Sequence, residues 1–150
     1  MPLLRLDLGS SNLDLEGYTS VDIVPPCNVV ADLTQRWPWE DSTVDEIRAH
    51  DIIEHLPDKI HTMNEAWRVL KPGSVMHVKV PTTDGPGAWC DPQHNSYWNR
   101  YSFEYYTDGN PAYERFHVAY GIQACFTVVN EKTWKWRDVV ILDIWLKAVK

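Results

Sequence analysis

The first three predicted strands of this chain follow one another too closely for helices to fit between them. Alternating or β-branched stretches predict strands at 3–8, 18–23, 28–31, 45–50, 74–80, 124–129 and 139–148. Nine residues (9–17) separate the first two and four (24–27) the next two, whereas a crossover that contains a helix takes at least about 10–12 residues. The helices that would cover one face of a parallel sheet are therefore expected to be short or missing.

Charged and apolar residues alternate along these strands. In the first strand Leu6 and Leu8 flank Asp7, and the same alternation runs through 45–50, 74–80 and 139–148. A sheet covered on both faces is apolar throughout, so the alternation predicts one dry face and one wet face. The wet face, either solvated in a charge lattice or pressed against a partner, should carry Arg5, Glu46, Arg48, His77 and Lys79.

One helix is strongly indicated between two of the strands. Asp58 can cap it, and the residues 71–73 (Lys-Pro-Gly) end it. The apolar residues that recur at helical spacing, and that should pack on the dry face, are Ile60, Met63, Trp67 and Leu70. A strand, helix, strand unit of this length is a right-handed parallel crossover, so the fold class is α/β, with helices mainly on one face.

Residues 81–121, here called the aromatic cap, hold ten of the 18 aromatic residues. Such an insertion after a parallel strand is an active-site cap, padding over the helical layer, or both. His94 lies within it, between Trp89 and Trp98, in the stretch Asp-Pro-Gln-His-Asn. A surface or core role for this histidine stays open, and it is the best candidate for a general base.

Two strand ends predict a nucleoside site. The first strand ends in Asp7-Leu8-Gly9 and the second in Ser20-Val21-Asp22. Ligands of open α/β sheets bind beyond the carboxyl ends of the strands, where a glycine allows close approach and an acidic residue can accept from both hydroxyls of a ribose. The alternative is structural, because a glycine after a strand is often only a turn and an aspartate there often caps one.

Several motifs in order resemble the class I S-adenosylmethionine-dependent methyltransferases, the broad group with small-molecule and sugar acceptors. The resemblance covers 3–81, and its motifs are Asp-Leu-Gly (7–9), Val-Asp-Ile (21–23), Ala-Asp-Leu (31–33), Glu-His-Leu-Pro-Asp (54–58) and Arg-Val-Leu-Lys-Pro-Gly (68–73). It implies a Rossmann-like, mostly parallel seven-stranded sheet with an antiparallel C-terminal strand. Residues 1–150 would form a single domain, with 81–121 as its cap.

The resemblance also implies a site for S-adenosylmethionine. The residues it assigns are Asp7 and Gly9 at the methionine end, Asp22 on the ribose hydroxyls, Asp32 and Leu33 beside the adenine, and His50 near the sulfonium. The chain departs from the family where Ser11 and Leu13 replace the second and third glycines, and where the helix after them is too short to exist in full.

Composition excludes several other functions. A net charge of −7, with no run of basic residues, disfavours nucleic acid. No apolar run approaches the roughly 20 residues that span a bilayer, and three cysteines without metal-type spacing predict a reducing, cytoplasmic location. Glu54 and His55 are expected to make structural hydrogen bonds, and no metal site is expected, because nothing at fitting spacing completes a set with His50.

The predicted function is transfer of a methyl group to a small polar acceptor, such as a sugar, with His94 as base. The alternative is a non-catalytic S-adenosylmethionine-binding or interaction module that needs a partner subunit. An NAD-dependent oxidoreductase is disfavoured, because the first loop is short and lacks the G-x-G-x-x-G pattern. A homodimer through the C-terminal hairpin is also predicted, using Trp145 and either Trp134 or Trp136.

Overall fold

The computed structural model describes residues 2–11, 13 and 15–150. Its seven strands are β1 (Arg5–Leu8), β2 (Thr19–Asp22), β3 (Val29–Val30), β4 (Val44–His50), β5 (Leu70–Pro81), β6 (Phe126–Trp136) and β7 (Val139–Ala148). They form one sheet in the order β3-β2-β1-β4-β5-β7-β6. The first five strands are parallel, and β7 runs antiparallel to both β5 and β6. The predicted seven-stranded α/β sheet with an antiparallel C-terminal end is confirmed.

Three α-helices accompany the sheet: α1 (Lys59–Val69), α2 (Gly87–Cys90) and α3 (Pro111–Tyr120). Two 3₁₀ helices span Ile53–His55 and Arg100–Tyr106. Asp58 caps α1 as predicted, because its carboxylate accepts a hydrogen bond from the backbone N–H of His61 at 2.9 Å. None of the helices in the described ranges has the length and apolarity needed to cross a bilayer.

The fifth strand begins earlier than predicted. It starts at Leu70, directly after α1, rather than at Ser74. Leu70 pairs with Val44, and the register then shifts before Val75 pairs with Glu46. Residues 71–73 (Lys-Pro-Gly), which were expected to end the helix, therefore lie within β5, where its register with β4 shifts.

The core lies on one face of the sheet, called the covered face. Leu6, Leu8, Ile47, Ala49, Met76 and Val78 are completely or almost completely buried there. Met63 and Ala66 of α1 and Trp98 and Phe103 of the aromatic cap belong to the same cluster. Trp37, in the loop between β3 and β4, is also buried, and its backbone N–H donates to the Glu65 carboxylate of α1 at 2.6 Å. A tryptophan-bearing loop thus covers the sheet beside α1.

The other face, called the open face, carries the alternating polar residues. Arg48 pairs with Asp7 at 3.1 Å, and the Glu46 carboxylate accepts from the Tyr18 hydroxyl at 2.6 Å and pairs with Arg5 at 3.4 Å. In the described parts of 9–18 and in 23–28 the chain forms no helix that could cover this face. The charges instead satisfy one another, which corresponds to the lattice alternative.

Candidate functional site

A cavity of about 200 Å³ lies beyond the carboxyl ends of β1 and β2. Its lining combines two carboxylates with mostly apolar side chains: Gly9, Asp22, Ile23, Ala31, Asp32, Leu33, Thr34, Ile52, His55 and Leu56. Four of the six predicted cofactor residues therefore come together here, namely Gly9, Asp22, Asp32 and Leu33. The site is where ligands bind in open α/β sheets.

The carboxylate that ends β2 is positioned for a ligand. One oxygen of Asp22 accepts from the backbone N–H of Val24 at 3.2 Å, which orients the side chain while it stays partly exposed. Beside it, Ile23 is 62% exposed. An acidic group next to an uncovered apolar surface suits a ribose joined to a flat base.

Asp32 is held by the residue two positions later. Its carboxylate accepts from both the backbone N–H and the hydroxyl of Thr34, at 2.9 and 2.7 Å. These hydrogen bonds lower the pKa of Asp32 below its ordinary value. Leu33, which follows, is buried and also lines the cavity.

Gly9 is required by both its conformation and its surroundings. Its φ of +66° lies in the left-handed region, and a Cβ added to it would lie 2.6 Å from Cδ1 of Ile52. The side chain of Ile52 thus closes directly over Gly9, so the first loop and the segment after β4 meet at the cavity.

Two of the six predicted cofactor residues lie outside the cavity lining. Asp7 is 2% exposed, and its carboxylate is paired with Arg48 on the open face. His50, the last residue of β4, is hydrogen-bonded to His77 through Nε2 and Nδ1, at 2.9 Å. Asp7 is the next-to-last residue of β1 and His50 is the last residue of β4. Both side chains are on the open face.

The hydrogen bond of His50 continues across two further strands. Nε2 of His77 donates to Oδ1 of Asp143 on β7 at 2.8 Å, and Nε1 of Trp134 donates to Oδ2 of the same carboxylate at 2.6 Å. The ring of Trp145 stacks on the His77 imidazole at 4.1 Å between centroids. The sequence pattern placed these side chains on one face, but their contact depends on the β5–β7 register, which pairs His77 with Trp145 and Lys79 with Asp143.

A second polar cluster joins the 3₁₀ helix after β4 to the aromatic cap. The backbone carbonyl of Glu54 accepts from the N–H groups of Asn95 and Ser96, at 2.8 and 3.0 Å, and Nδ1 of His55 donates to the Gln93 carbonyl at 3.1 Å. The predicted structural hydrogen bond is made by the side chain of His55, whereas Glu54 contributes its backbone carbonyl and not its carboxyl. These hydrogen bonds anchor the cap segment 93–96.

The carboxyl of Glu54 is 2% exposed. Burial raises its pKa to about 7, and its Oε2 has no hydrogen-bond partner among the described residues. One side-chain nitrogen or oxygen from each of Glu54, His55 and His94 lies within 4.8 Å of the other two. His50 lies in the other cluster, so the set of Glu54, His55 and His50 weighed from the sequence does not form.

His94 is nearly enclosed beneath the cap. Its Nδ1 donates to the carbonyl of Ala88 at 3.1 Å, so the neutral ring keeps its lone pair on Nε2. That nitrogen lies 3.6 Å from a carboxylate oxygen of Asp91, and the ring meets His55 edge to face at 4.9 Å. The catalytic role of His94 stays a prediction.

A larger cavity, of about 700 Å³, lies between the start of α1 and the aromatic cap. Four tyrosines and three aliphatic or proline side chains dominate its wall, which consists of Pro57, Asp58, Lys59, Ile60, Asn99, Tyr101, Ser102, Tyr105, Tyr106, Tyr120 and Ile122. Lys59 is held at its floor, because Nζ donates to the Tyr97 carbonyl and lies 4.7 Å from the Trp98 ring centroid. The two cavities are joined along the chain by consecutive residues, His55 and Leu56 in one and Pro57 and Asp58 in the other.

Comparison with known proteins shows which family the chain resembles. Residues 6–78, just under half of the chain, match the family model described as a methyltransferase domain. The matched range includes most of β1, all of β2, β3, β4 and α1, and most of β5, and it contains every residue that lines the smaller cavity.

Solved methyltransferase structures share the fold over the whole chain. The 1,6-didemethyltoxoflavin-N1-methyltransferase of Burkholderia thailandensis, solved with S-adenosylhomocysteine, is 16% identical with a TM-score of 0.69, over 99% of this chain and 72% of that one. An S-adenosylmethionine-dependent methyltransferase of Methanosarcina mazei is 14% identical with a TM-score of 0.66, over 99% and 94%. A Haloferax volcanii putative methyltransferase, solved with the activator Trm112, is 16% identical with a TM-score of 0.66, over 100% and 86%.

One curated relative matches part of the chain. The sterol 4-C-methyltransferase strm-1 of Caenorhabditis elegans is 34% identical over 71 residues, which are 46% of this chain and 21% of that protein. The chain thus spans about a fifth of the curated relative that it matches.

The cofactor of this family is S-adenosylmethionine, and the smaller cavity fits the adenosine part of that molecule. Its lining presents the carboxylate of Asp22 and the apolar surface of Ile23 and Leu33. Because Gly9 carries no side chain, the backbone there can approach the part of the cofactor beyond the adenosine.

Proposed function

We propose that this protein is an S-adenosylmethionine-dependent methyltransferase that acts on a small ring-containing molecule. The observation that carries the proposal is the cavity at the carboxyl ends of β1 and β2, which combines Gly9, Asp22 and Leu33 at the positions that the family resemblance assigns to the cofactor. When bound, the cofactor supplies a methyl group activated by attachment to a positively charged sulfur. The chain then has to bind the cofactor and the acceptor, orient them toward each other and exclude water.

The larger cavity is the proposed acceptor site. Its volume of about 700 Å³ lies within the range of roughly 300–1,000 Å³ that small-molecule pockets have. Its tyrosine rings offer flat apolar surface, and Asn99 and Ser102 offer hydrogen bonds. This lining suits a sugar or another ring with polar substituents, and the named acceptors of two similar proteins, a sterol and a toxoflavin precursor, are also ring systems.

His94 lines neither cavity, and we propose it as the base for a hydroxyl acceptor that reaches toward it from the larger cavity. Its Nε2 carries the lone pair because Nδ1 donates to Ala88. A carboxylate oxygen of Glu54, whose pKa burial raises to about 7, lies within 4.8 Å of a ring nitrogen of His94. An amine or sulfur acceptor would not need this base.

A second function is supported by the uncovered sheet face. A non-catalytic cofactor-binding module that needs a partner subunit would explain a chain whose described loops 9–18 and 23–28 lack helices. The similar Haloferax protein was solved in complex with a methyltransferase activator. Three free cysteines support work in a reducing compartment, which we propose is the cytoplasm.

Calorimetric titration of the chain with S-adenosylhomocysteine tests the proposal, with an Asp22→Ala variant. Loss of hydrogen bonds to a charged group should weaken binding by about 1.5–3 kcal/mol. Glu40→Ala, at an exposed loop position, removes the same charge outside the site and should bind like the parent. A folded Asp22→Ala protein that binds as tightly as the parent would refute the ribose assignment, and a parent that binds neither cofactor form would refute both proposed functions.

A further inference from the structure

The hydrogen-bonded row of Asp143, His77 and His50 has a single direction when both imidazoles are neutral. A carboxylate only accepts hydrogen bonds, so Nε2 of His77 carries the proton that points to Asp143 at 2.8 Å. Neutral His77 therefore has its lone pair on Nδ1, and it accepts from Nε2–H of His50 at 2.9 Å. It follows that neutral His50 keeps its own lone pair on Nδ1. The carboxylate on β7 thus sets the tautomer of a histidine two strands away.

The surroundings hold this row in place. Oδ2 of Asp143 accepts from Nε1 of Trp134, and Trp145 stacks on His77 with only 9° between the ring planes. The three members of the row stand on the adjacent strands β4, β5 and β7. Both the ring orientations and the spacing are therefore fixed by the sheet.

His50 is also kept neutral. Partial burial, followed by the nearby cations Arg48 and Lys79 and by His77, lowers the pKa of His50 to about 4, against the opposing effect of Asp143. Arg48 and Lys79 are themselves paired with Asp7 and Asp51 at 3.1 and 2.8 Å. At neutral pH the end of β4 therefore presents an uncharged imidazole among compensated charges.

The strand order places this imidazole at one end of the cofactor site. Leu33 follows β3, Asp22 ends β2, Gly9 follows β1 and His50 ends β4, in the spatial order β3-β2-β1-β4. Leu8 pairs with Ala49, so Gly9 and His50 are the next residues on neighbouring strands, which lie about 4.8 Å apart. Because the base and the ribose are assigned to the β3 and β2 side, the cationic sulfur belongs to the β1 and β4 side.

We propose that the Asp143–His77–His50 row is a charge-recognition device, which presents a lone-pair-bearing imidazole to the sulfonium of S-adenosylmethionine and so favours this cation over the neutral product S-adenosylhomocysteine. The inference rests on the proposed function, because it takes the cofactor site as given. His50 is then the contacting group, and His77 and Asp143 are positioning residues. The row would make the site prefer the positively charged S-adenosylmethionine, because the other contacts of the site are the same for S-adenosylmethionine and S-adenosylhomocysteine.

Asp143→Asn is the sharpest test, because the chain itself dictates which way the new amide turns. Trp134 can only donate, so it takes the amide oxygen of residue 143 and turns the amide NH₂ toward His77. His77 must then accept at Nε2 and donate from Nδ1, and His50 accepts at Nε2 and carries its proton on Nδ1. The variant therefore inverts both tautomers with almost no change in shape.

Two measurements follow the inversion. Nitrogen-15 NMR of the imidazoles should show Nε2–H for His50 and His77 in the parent and Nδ1–H in Asp143→Asn. Calorimetry should show the affinity ratio of S-adenosylmethionine to S-adenosylhomocysteine falling about tenfold, as expected for losing one favourable contact to a charged group. The affinity for S-adenosylhomocysteine should stay within about twofold of the parent.

Two further variants separate the tautomer from charge alone. Glu46→Gln removes a carboxylate from the same open face outside the row, and its affinity ratio should stay at the parent value. Trp134→Phe combined with Asp143→Asn lets the amide turn back, and the ratio should partly recover.

An unchanged ratio in a tautomer-inverted Asp143→Asn, an equal loss in Glu46→Gln, or a parent His50 that carries its proton on Nδ1 would each overturn the inference. A parent that binds S-adenosylhomocysteine but does not prefer the sulfonium would overturn it while leaving the proposed function standing, whereas a parent that binds neither would remove both.

Discussion

Glu54 should make this protein less stable as the pH rises. In the unfolded chain its carboxyl titrates near the ordinary pKa of 4.5, while burial raises the pKa to about 7 in the folded protein. Between these values the folded state holds a proton that the unfolded state has released. Stability from this group is therefore complete below pH 4.5 and is lost as the pH rises through 7.

The size of the effect follows from that difference. Each pKa unit corresponds to about 1.4 kcal/mol, so ionising Glu54 in the fold lowers the free energy of unfolding by roughly 3 kcal/mol once the pH exceeds 7. Its Oε2 has no hydrogen-bond partner among the described residues, and a backbone hydrogen bond together with the charge of Lys79 offsets only part of the cost of burial. Glu54→Gln keeps the shape of the side chain and removes its titration.

The assay is urea unfolding of parent and variant from pH 4 to pH 8.5. The stability of Glu54→Gln relative to the parent should increase by roughly 3 kcal/mol between the two ends, and most of the change should fall between pH 4.5 and 7. Comparing the two proteins cancels the other carboxylates, and Glu40→Gln, at an exposed position, should track the parent throughout. Parallel curves for Glu54→Gln and the parent would mean that Glu54 is hydrated or paired, and the argument from burial would be refuted.

Two other predictions concern catalysis and assembly. His94→Ala should lower turnover by about 10²–10⁴-fold with S-adenosylhomocysteine affinity retained if the acceptor is a hydroxyl, and unchanged turnover on an identified hydroxyl acceptor would return His94 to a structural role. For the proposed homodimer through the C-terminal hairpin, Trp136 is the residue to change, because it is 58% exposed whereas Trp145 is stacked on His77. Trp136→Glu should dissociate a dimer that light scattering detects in the parent, and a parent that is monomeric at every concentration would contradict this assembly.

The sequence was sufficient for those features that depend on local periodicity. Alternation in β1, β4, β5 and β7 identified the dry and wet faces, because side-chain direction along a strand has a period of two. Asp22 and Gly9 could be found because each ends or follows a short strand, and the family motifs assigned Asp32 and Leu33 beside them. These residues meet in one cavity because parallel strands bring their carboxyl ends to one edge.

Features that depend on register or on long-range contact could not be found this way. The contact of His77 with Asp143 spans 66 residues and exists only in one antiparallel register of β5 and β7. The pairing of Asp7 with Arg48, 41 residues apart, likewise could not be predicted. It holds on the open face a carboxylate that was predicted to contact the cofactor. Periodicity assigns a face but not a neighbour, so each of these partnerships needed the structure.

The missing helices and the open-face hydrogen bonds are parts of one physical problem. A helix N-terminus in the first loop would normally help to bind an anionic ligand group, and the described parts of 9–18 provide none. Without covering helices, the open face must also remain polar, which permits Arg48, His50, His77 and Asp143 to stand next to the ligand edge on rigid strands. We therefore expect recognition of the charged end of the cofactor to depend on strand side chains here, where a fold with its first-loop helix would depend on that helix.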